Sequence, residues 1–452
     1  IPLSTTMNDT ISPAAPAATV APALKPRTDH HIWGTYIFLV IVSVIELFSA
    51  SIQEINAENI YAPIIRHSGF IVIGLLIMLG LQKVHYRYIY FFIPLFVVAS
   101  MAAMLYVNFA GTRINGTMRA ITIGPVNVLP AEFLKLAVAL GVAWILSHGQ
   151  LKDRRDVSRG WFIACVVFIW VCCLLLFFHG LTNTILVAAI GFSMMLIGGV
   201  GFRKWLLAVF VTMLIAGAGI GAKTMFKSGE GPTEEQKTEA RLNHEEIGES
   251  TGIGRGSTWR GRVERFLGGE KYKEPLNDLN KQEQLSYIAQ ARGGIIGKGI
   301  AHSRENARLP LAFSDYIFAI VVEELGLLVG LFLILCYMWI LGRAAALTMS
   351  FKQTLPAVMV LGCACVIVFQ ALIHIAIVTG FFPVSGQPLP LISKGGTSII
   401  ATSMAIGIML SVSRHAARVR DSGDTASDEL EILPENVRSE NPAMLVREEK
   451  KD

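Results

Sequence analysis

Ten apolar stretches, each about 20 residues long, recur along this chain at approximately 32–52, 67–83, 87–108, 131–148, 161–178, 181–201, 204–223, 315–341, 355–380 and 397–413. As a helix, each is long enough to cross the roughly 30 Å hydrocarbon core of a bilayer. Within that core only helices and closed barrels satisfy their own backbone groups. The expected fold class is therefore an all-α polytopic membrane protein with about ten transmembrane helices. Composition agrees: the 452 residues are 53% hydrophobic and 16% charged, whereas a water-facing domain carries roughly 25% charge. One membrane domain is expected over 31–415. An Ala/Pro/Thr-rich tail at 1–30 and a charge-mixed tail at 416–452 both read as disordered. The first thirty residues show no apolar region of a cleavable signal peptide. The one long polar interruption, about 224–312, joins the seventh and eighth spans.

Lys and Arg gather in cytoplasmic loops of membrane proteins. Alternating sides along ten spans places fifteen loop and flanking cations on one side, among them Lys152, Arg154, Arg155 and Arg159. Four fall on the other side: Arg66, Arg113, Arg119 and Lys394. The expected orientation has both termini cytoplasmic and the 224–312 loop outside. All six cysteines lie inside apolar stretches without metal-ligand spacing, so they read as small buried hydrophobes. The net charge of +5 is modest, and no nucleic-acid partner is expected.

A charge in or at the edge of a span is costly and marks a candidate site. Glu46 sits deep in the first span, either as a proton or ligand contact or as a hydrogen-bond partner of a neighbouring helix. Arg119, Glu132 and Lys135 cluster at the entrance of the fourth span. Pro130 and Glu132 suit a first helical turn, and Glu132 with Lys135 three residues on suits an ion pair. Lys135 nonetheless lies inside apolar sequence, and Arg119 is a candidate anion binder. The stretch 291–299, Ala-Arg-Gly-Gly-Ile-Ile-Gly-Lys-Gly, lacks the spacing and the Ser/Thr of a P-loop. Its backbone N–H groups are still candidates for a phosphate. Asp315 begins a span that also carries Glu323 and Glu324; helix capping competes there with chemistry. Ser393 and Lys394 close a Pro- and Gly-rich loop at 383–398, where an outer-surface anion competes with solvent for the ammonium.

These segments together resemble the SEDS family of cell-wall glycosyltransferases. The segment Leu309-Pro310-Leu311-Ala312-Phe313-Ser314-Asp315-Tyr316-Ile317-Phe318-Ala319, followed by Glu323-Glu324-Leu325-Gly326, is similar to that family's Leu-Pro-Glu-x-His-Thr-Asp-Phe-Ile-Phe-Ala and Glu-Glu-Leu-Gly. The 383–398 loop is similar to its Pro-x-Thr-Gly-x-x-Leu-Pro-Phe-x-Ser-Tyr-Gly-Gly-Ser. The entrance of the fourth span resembles its Asn-Gly-x-x-Arg-Trp and Pro-x-Glu-x-x-Lys, with Pro130-Ala131-Glu132 closer to the FtsW branch than to the RodA branch. Gln284 with Gly294, Gly297, Lys298 and Gly299 matches the Gln and Gly-x-x-Gly-Lys-Gly that precede the Asp, and Ser49-Ala50-Ser51 matches a Ser-x-Ser after the first span. The resemblance covers about 32–415. Departures occur at Leu311, at Phe313-Ser314, at Ala120, at Lys394, at His374 and in His179-Gly180-Leu181-Thr182-Asn183-Thr184, which lacks the family's carboxylate.

The resemblance implies a peptidoglycan glycosyltransferase of the bacterial inner membrane. It would polymerise lipid II into β-1,4 glycan at the outer face during cell division, with a class B penicillin-binding protein and other divisome proteins as partners. Asp315 is then the candidate catalytic base or orienting carboxylate. Arg119, Lys135, Lys298 and Lys394, or a divalent cation such as Mg or Mn, are candidates for the leaving pyrophosphate. Glu132, Gln284 and Ser393 complete the expected substrate-binding set. A lipid II flippase, which would use midplane charges such as Glu46 and Lys135, and a noncatalytic division scaffold are the alternatives.

Overall fold

In lipid, helices associate through close packing and polar contacts rather than through exclusion of water, and the fold follows that logic. The computed structural model describes residues 28–54, 62–114, 117–124, 126–150, 156–177, 179–226, 266, 280–309, 312–349, 351 and 354–421. The expected tails, most of the 224–312 loop, Asn115, Gly116 and Leu311 lie outside the described residues. A helix overlies each apolar stretch: α1 (His30–Glu54), α2 (Ala62–Leu81), α3 (Tyr86–Ala110), α4 (Pro130–Gly149), α5 (Arg159–Phe177), α6 (Leu181–Ile197) and α7 (Phe202–Phe226). After the long loop come α8 (Lys281–Gly293), the single turn α9 (Ala312–Asp315), α10 (Ile317–Thr348), α11 (Thr354–Val378) and α12 (Gly396–Asp421). Among the described residues, eight of these helices are long and apolar enough to cross a membrane, and α6 is apolar but has 17 residues.

The centre of the bundle is α4, which packs against α3, α5, α6, α11 and α12. Its sequence allows this because small residues bring neighbours close. Gly141 lies so near Phe168 of α5 that a Cβ would meet the ring at 2.7 Å, and Gly362 of α11 similarly admits Met194 of α6. The outward faces of α3 and α7 expose Phe91, Leu95, Phe109, Leu206 and Phe210, as expected where the solvent is hydrocarbon.

The two ends of the bundle differ in kind. At one end both described termini meet, with the Asp29 N–H donating to Ser413 Oγ at 3.0 Å and the Arg343 guanidinium paired with Asp29. Lys204 donates to Asp156 there at 2.5 Å, and that hydrogen bond holds the Asp156 carboxyl below its usual range. The other end carries α8, α9, the 383–395 loop and a three-stranded antiparallel meander, β1 (Thr112–Ile114), β2 (Thr117–Ile123) and β3 (Val126–Val128). The pairings include Thr112 with Ala120 and Ile121 with Val128. These strands join the third and fourth membrane helices. Their short run of Thr, Ile and Val suits a pleated surface packed on α3 and α4. Ala120, where the family has Trp, is fully buried on β2.

One device organises the loop end. Helix α10 breaks at Gly326, whose φ is 89° and ψ 167°. The carbonyls of Glu323 and Glu324, which would accept from the next turn of an unbroken helix, accept instead from the N–H groups of Lys298 and Gly299 at 2.9 Å each. The freed N–H groups of Leu327 and Leu328 donate to the carbonyls of Gly294 and Ile295 at 3.0 and 3.3 Å. The Gly-rich loop is thus inserted into the helix, and four backbone bonds to it take the place of helical ones. Only glycine permits the approach: a Cβ on Gly293 would stand 2.0 Å from the Val322 carbonyl oxygen, and one on Gly326 would stand 2.4 Å from the Ile295 oxygen. Because the obstacles are backbone atoms, Gly293→Ala is expected to destabilise the protein by several kcal/mol, on the order of the largest single-substitution effects. A fall of the thermal midpoint in detergent by less than that of an ordinary surface substitution would contradict this account.

Candidate active site

Asp315 does not begin the long helix. It is the last residue of the one-turn α9, and Tyr316 occupies the N-cap of α10 without a side-chain cap bond. The Asp315 side chain is half-buried. Its turn is fastened to the 383–395 loop on both sides: Ser393 Oγ donates to the Ser314 carbonyl at 2.7 Å, and the Lys394 N–H donates to the Phe313 carbonyl at 2.9 Å. Gly386 of the same loop lies flush against the carboxylate, where a Cβ would meet Asp315 Oδ2 at 2.7 Å.

Glu132 and Lys135 form the ion pair that their spacing suggested, with Nζ to Oε1 at 2.7 Å. Lys135 is fully buried, and its ammonium also donates to Gln370 Oε1 at 2.8 Å. Gln370 in turn donates to Glu132 Oε2 at 3.2 Å and to the Pro388 carbonyl at 3.1 Å. Lys135 and Glu132, expected from the sequence to bind substrate, are paired with one another and with Gln370, and through Gln370 they hold the 383–395 loop. Ser393 is buried, accepts from the Leu389 N–H at 2.7 Å and donates to the Ser314 carbonyl, and so helps to position the turn.

In the loop at 293–299 the Lys298 and Gly299 N–H groups are taken by helix carbonyls. The Lys298 side chain is exposed. Glu323 and Glu324, left open by the sequence, prove structural. Glu323 accepts from Ser303 Oγ at 2.5 Å and from the Arg304 N–H at 3.2 Å. Glu324 accepts from the Ala301 N–H at 3.1 Å and from Ser49 Oγ, the first serine of the Ser-x-Ser. Helix α8 is anchored by Ser286 Oγ and Gln290 Nε2, each donating to the Val378 carbonyl at 2.9 Å; Gln284 lies half-buried on it, and Arg119 lies half-buried on β2. Lys394 is half-buried, with Nζ 4.6 Å from the Phe313 ring centroid. Sequence reading passed over Gly386 and Gln370 as site residues. Gly386 gave no signal beyond its place in a turn, and Gln370, with His374 one turn on, stood in an apolar helix as a polar residue that needed a partner. Among the described residues no group of three or more His, Cys, Asp or Glu is placed to hold a metal ion.

Gly386 supplies a direct test of the Asp315 position. In Gly386→Ala the new methyl meets the tip of a flexible carboxylate rather than backbone, so stability should change little while the carboxylate must rotate away. The activity implied by the resemblance is expected to fall by about 10²-fold, the size of effect produced by a displacement of about 1 Å at a reacting group. Parallel measurement of thermal midpoint and turnover checks both halves, and unchanged turnover would remove Asp315 from the chemistry or Gly386 from its side.

Comparison with known proteins identifies the family. The family model named for FtsW, RodA and SpoVE, described as "Cell cycle protein", matches residues 29–243 and 247–418. The chain is 28% identical over 325 residues to the "Probable peptidoglycan glycosyltransferase FtsW" of Taylorella equigenitalis, covering 69% of this chain and 76% of the relative. It is 27% identical over 379 residues to the "Peptidoglycan glycosyltransferase MrdB" of Escherichia coli K12, covering 83% and 91%. Among solved structures, a chain from a peptidoglycan synthase complex studied for its coordination of polymerization and crosslinking superposes with a TM-score of 0.61 at 22% identity, covering 86% of this chain and 98% of the other; this likeness shows the fold.

Proposed function

Since this chain belongs to the FtsW/RodA/SpoVE family of cell cycle proteins, we propose that it is a peptidoglycan glycosyltransferase that polymerises lipid II into β-1,4 glycan strands, with Asp315 as the catalytic carboxylate. The observation that carries the assignment is the half-buried Asp315, held on a turn that the 383–395 loop fastens from both sides. In the reaction a sugar hydroxyl attacks an anomeric carbon. The new glycosidic C–O bond forms as the bond to undecaprenyl pyrophosphate breaks, the hydroxyl proton passes to Asp315, and the electron pair leaves with the pyrophosphate. General-base assistance of this kind contributes typically about 10²–10⁴-fold. Arg119 and the exposed Lys298 side chain are the cations we assign to the departing charge, with Gln284 in the same binding set. A divalent Mg or Mn ion would fit as one held by Asp315 and the pyrophosphate itself, because Mg²⁺ is commonly bound through one or two carboxylates plus phosphates.

We place the reaction at the outer face of the cytoplasmic membrane, with both termini inside, on the strength of the cation asymmetry and the meeting of the two described termini at one end of the bundle. A class B penicillin-binding protein is the proposed partner, supported by the likeness to a chain of a peptidoglycan synthase complex, and other divisome proteins follow if the role is septal. Transport of lipid II has less support, because the buried Lys135 is locked to Glu132 and Gln370 rather than facing a pathway. The test is purified full-length protein in proteoliposomes with labelled lipid II and its cognate transpeptidase. Glycan chains in the absence of any other polymerase are expected, and lipid II that merely changes leaflet would overturn the assignment.

A further inference from the structure

Helix α11 carries Gln370 and His374 one turn apart on one face of an otherwise apolar stretch. Both reach the 383–395 loop. Gln370 donates to the Pro388 carbonyl at 3.1 Å, and His374 Nδ1 lies 2.6 Å from the carbonyl oxygen of the preceding residue, Gln387. A carbonyl oxygen only accepts, so the ring hydrogen is on Nδ1. Nε2 is then a bare acceptor, buried and without a hydrogen-bond partner among the described residues. His374 is fully buried, and an apolar side chain would avoid the cost of that bare nitrogen. What the histidine adds is the bond from Nδ1. That bond leads directly to the Asp315 carboxylate. The Gln387 N–H donates to the Ser385 carbonyl at 3.1 Å, closing a three-residue turn with Gly386 at its centre. Gly386 is the residue whose Cβ would meet Asp315 Oδ2 at 2.7 Å. Farther along the loop, the Tyr337 hydroxyl donates to the Pro390 carbonyl at 2.7 Å. The carbonyls of 387, 388 and 390 are thus each held by a side chain of α10 or α11, and His374 holds the one next to Gly386.

We propose that His374 is a positioning residue for Asp315: it latches the Gln387 carbonyl through Nδ1–H and so fixes the Gly386 turn that bounds the carboxylate. Without the latch the turn shifts away from α11, and the carboxylate gains room to rotate out of line. A misplacement of about 1 Å at a reacting group is enough to slow a reaction markedly. The effect falls on where the carboxylate stands, not on how substrate is held. The latch rests on the geometry alone; its effect on turnover rests on the proposed glycosyltransferase activity.

The experiment compares His374→Leu with His374→Asn in the full-length protein, read by backbone hydrogen exchange over 385–393 and by lipid II polymerisation with the cognate transpeptidase. Leucine removes the donor, whereas the asparagine amide presents an N–H near the place of Nδ1. In His374→Leu the 385–393 amides are expected to exchange on the order of 10-fold faster, as loss of one buried hydrogen bond does. There kcat should fall about 10-fold or more with KM for lipid II little changed, and His374→Asn should recover most of both effects. Exchange as slow in His374→Leu as in the wild type would overturn the latch. Faster exchange with a wild-type kcat, or a raised KM with kcat unchanged, would overturn the positioning role. Equal losses in the two variants would overturn it as well, because the donor would then not be what matters. If His374→Leu does not fold, His374→Gln, whose amide falls near the Nε2 position, takes its place with the same expected results. If the wild-type protein makes no glycan while exchange in the variants behaves as expected, the latch stands and the glycosyltransferase reading is what fails.

Discussion

Asp315→Asn is expected to insert and fold like the wild-type protein and yet make almost no glycan. The amide keeps the size of the carboxylate and fits the same space beside Gly386, and Ser393 and the Lys394 backbone hold the turn by bonds to its carbonyls. Stability should therefore change by about 1 kcal/mol or less, within the range of substitutions that disturb no buried network. Loss of a general base costs about 10²–10⁴-fold in rate. The two quantities differ so much that one preparation separates them: an unchanged melting curve with polymerisation reduced at least a hundredfold supports the catalytic role. Polymerisation near the wild-type rate, with the normal partner present, would leave Asp315 as a structural turn residue.

Lys135→Met is expected to have the largest effect on stability of any side-chain substitution near the site. Lys135 is fully buried, and its removal leaves Glu132 without its ion-pair partner at 2.7 Å and Gln370 without a donor at 2.8 Å. Breaking a buried pair from one side typically costs about 3–5 kcal/mol, because the remaining charge stays behind in a medium that cannot solvate it. Gln370 also anchors the Pro388 carbonyl, so the loop that carries Gly386, Ser393 and Lys394 should loosen and activity should fall with stability. Adding Glu132→Gln to Lys135→Met should restore much of the melting temperature. A phosphate-binding lysine would behave differently: its loss would raise KM for lipid II with little change in thermal midpoint, and that result would reinstate the direct role suggested by the sequence.

The apolar stretches, the crowding of cations on one side and the clusters around 115–135, 284–316 and 383–398 were all legible from the residues in order. Hydropathy is a local property, and a bilayer acts on each 20-residue segment separately, so the helices formed where length and composition required them. The departures at Ala120 and Lys394 could be seen too, though not their consequences. What the order of residues could not settle is which polar groups face a ligand and which face each other. Lys135 meets a glutamine 235 positions away, Ser49 meets Glu324 across 275 positions, and Ser393 meets the Ser314 carbonyl across 79. A cation at the mouth of a span reads the same in sequence whether its partner is a pyrophosphate or a distant side chain.

The same limit hid the insertion of 293–299 into α10. Glycines mark a close approach, but only the tertiary arrangement shows that their partner is helix backbone rather than phosphate. Sequence by itself thus determined the membrane architecture and the short set of segments from which a site could be built. The tertiary structure decided, among the groups in those segments, which are fasteners and which remain half-open towards a substrate. The physical reason is that burying a charge or an N–H demands a partner, and the fold alone determines which partner comes within reach.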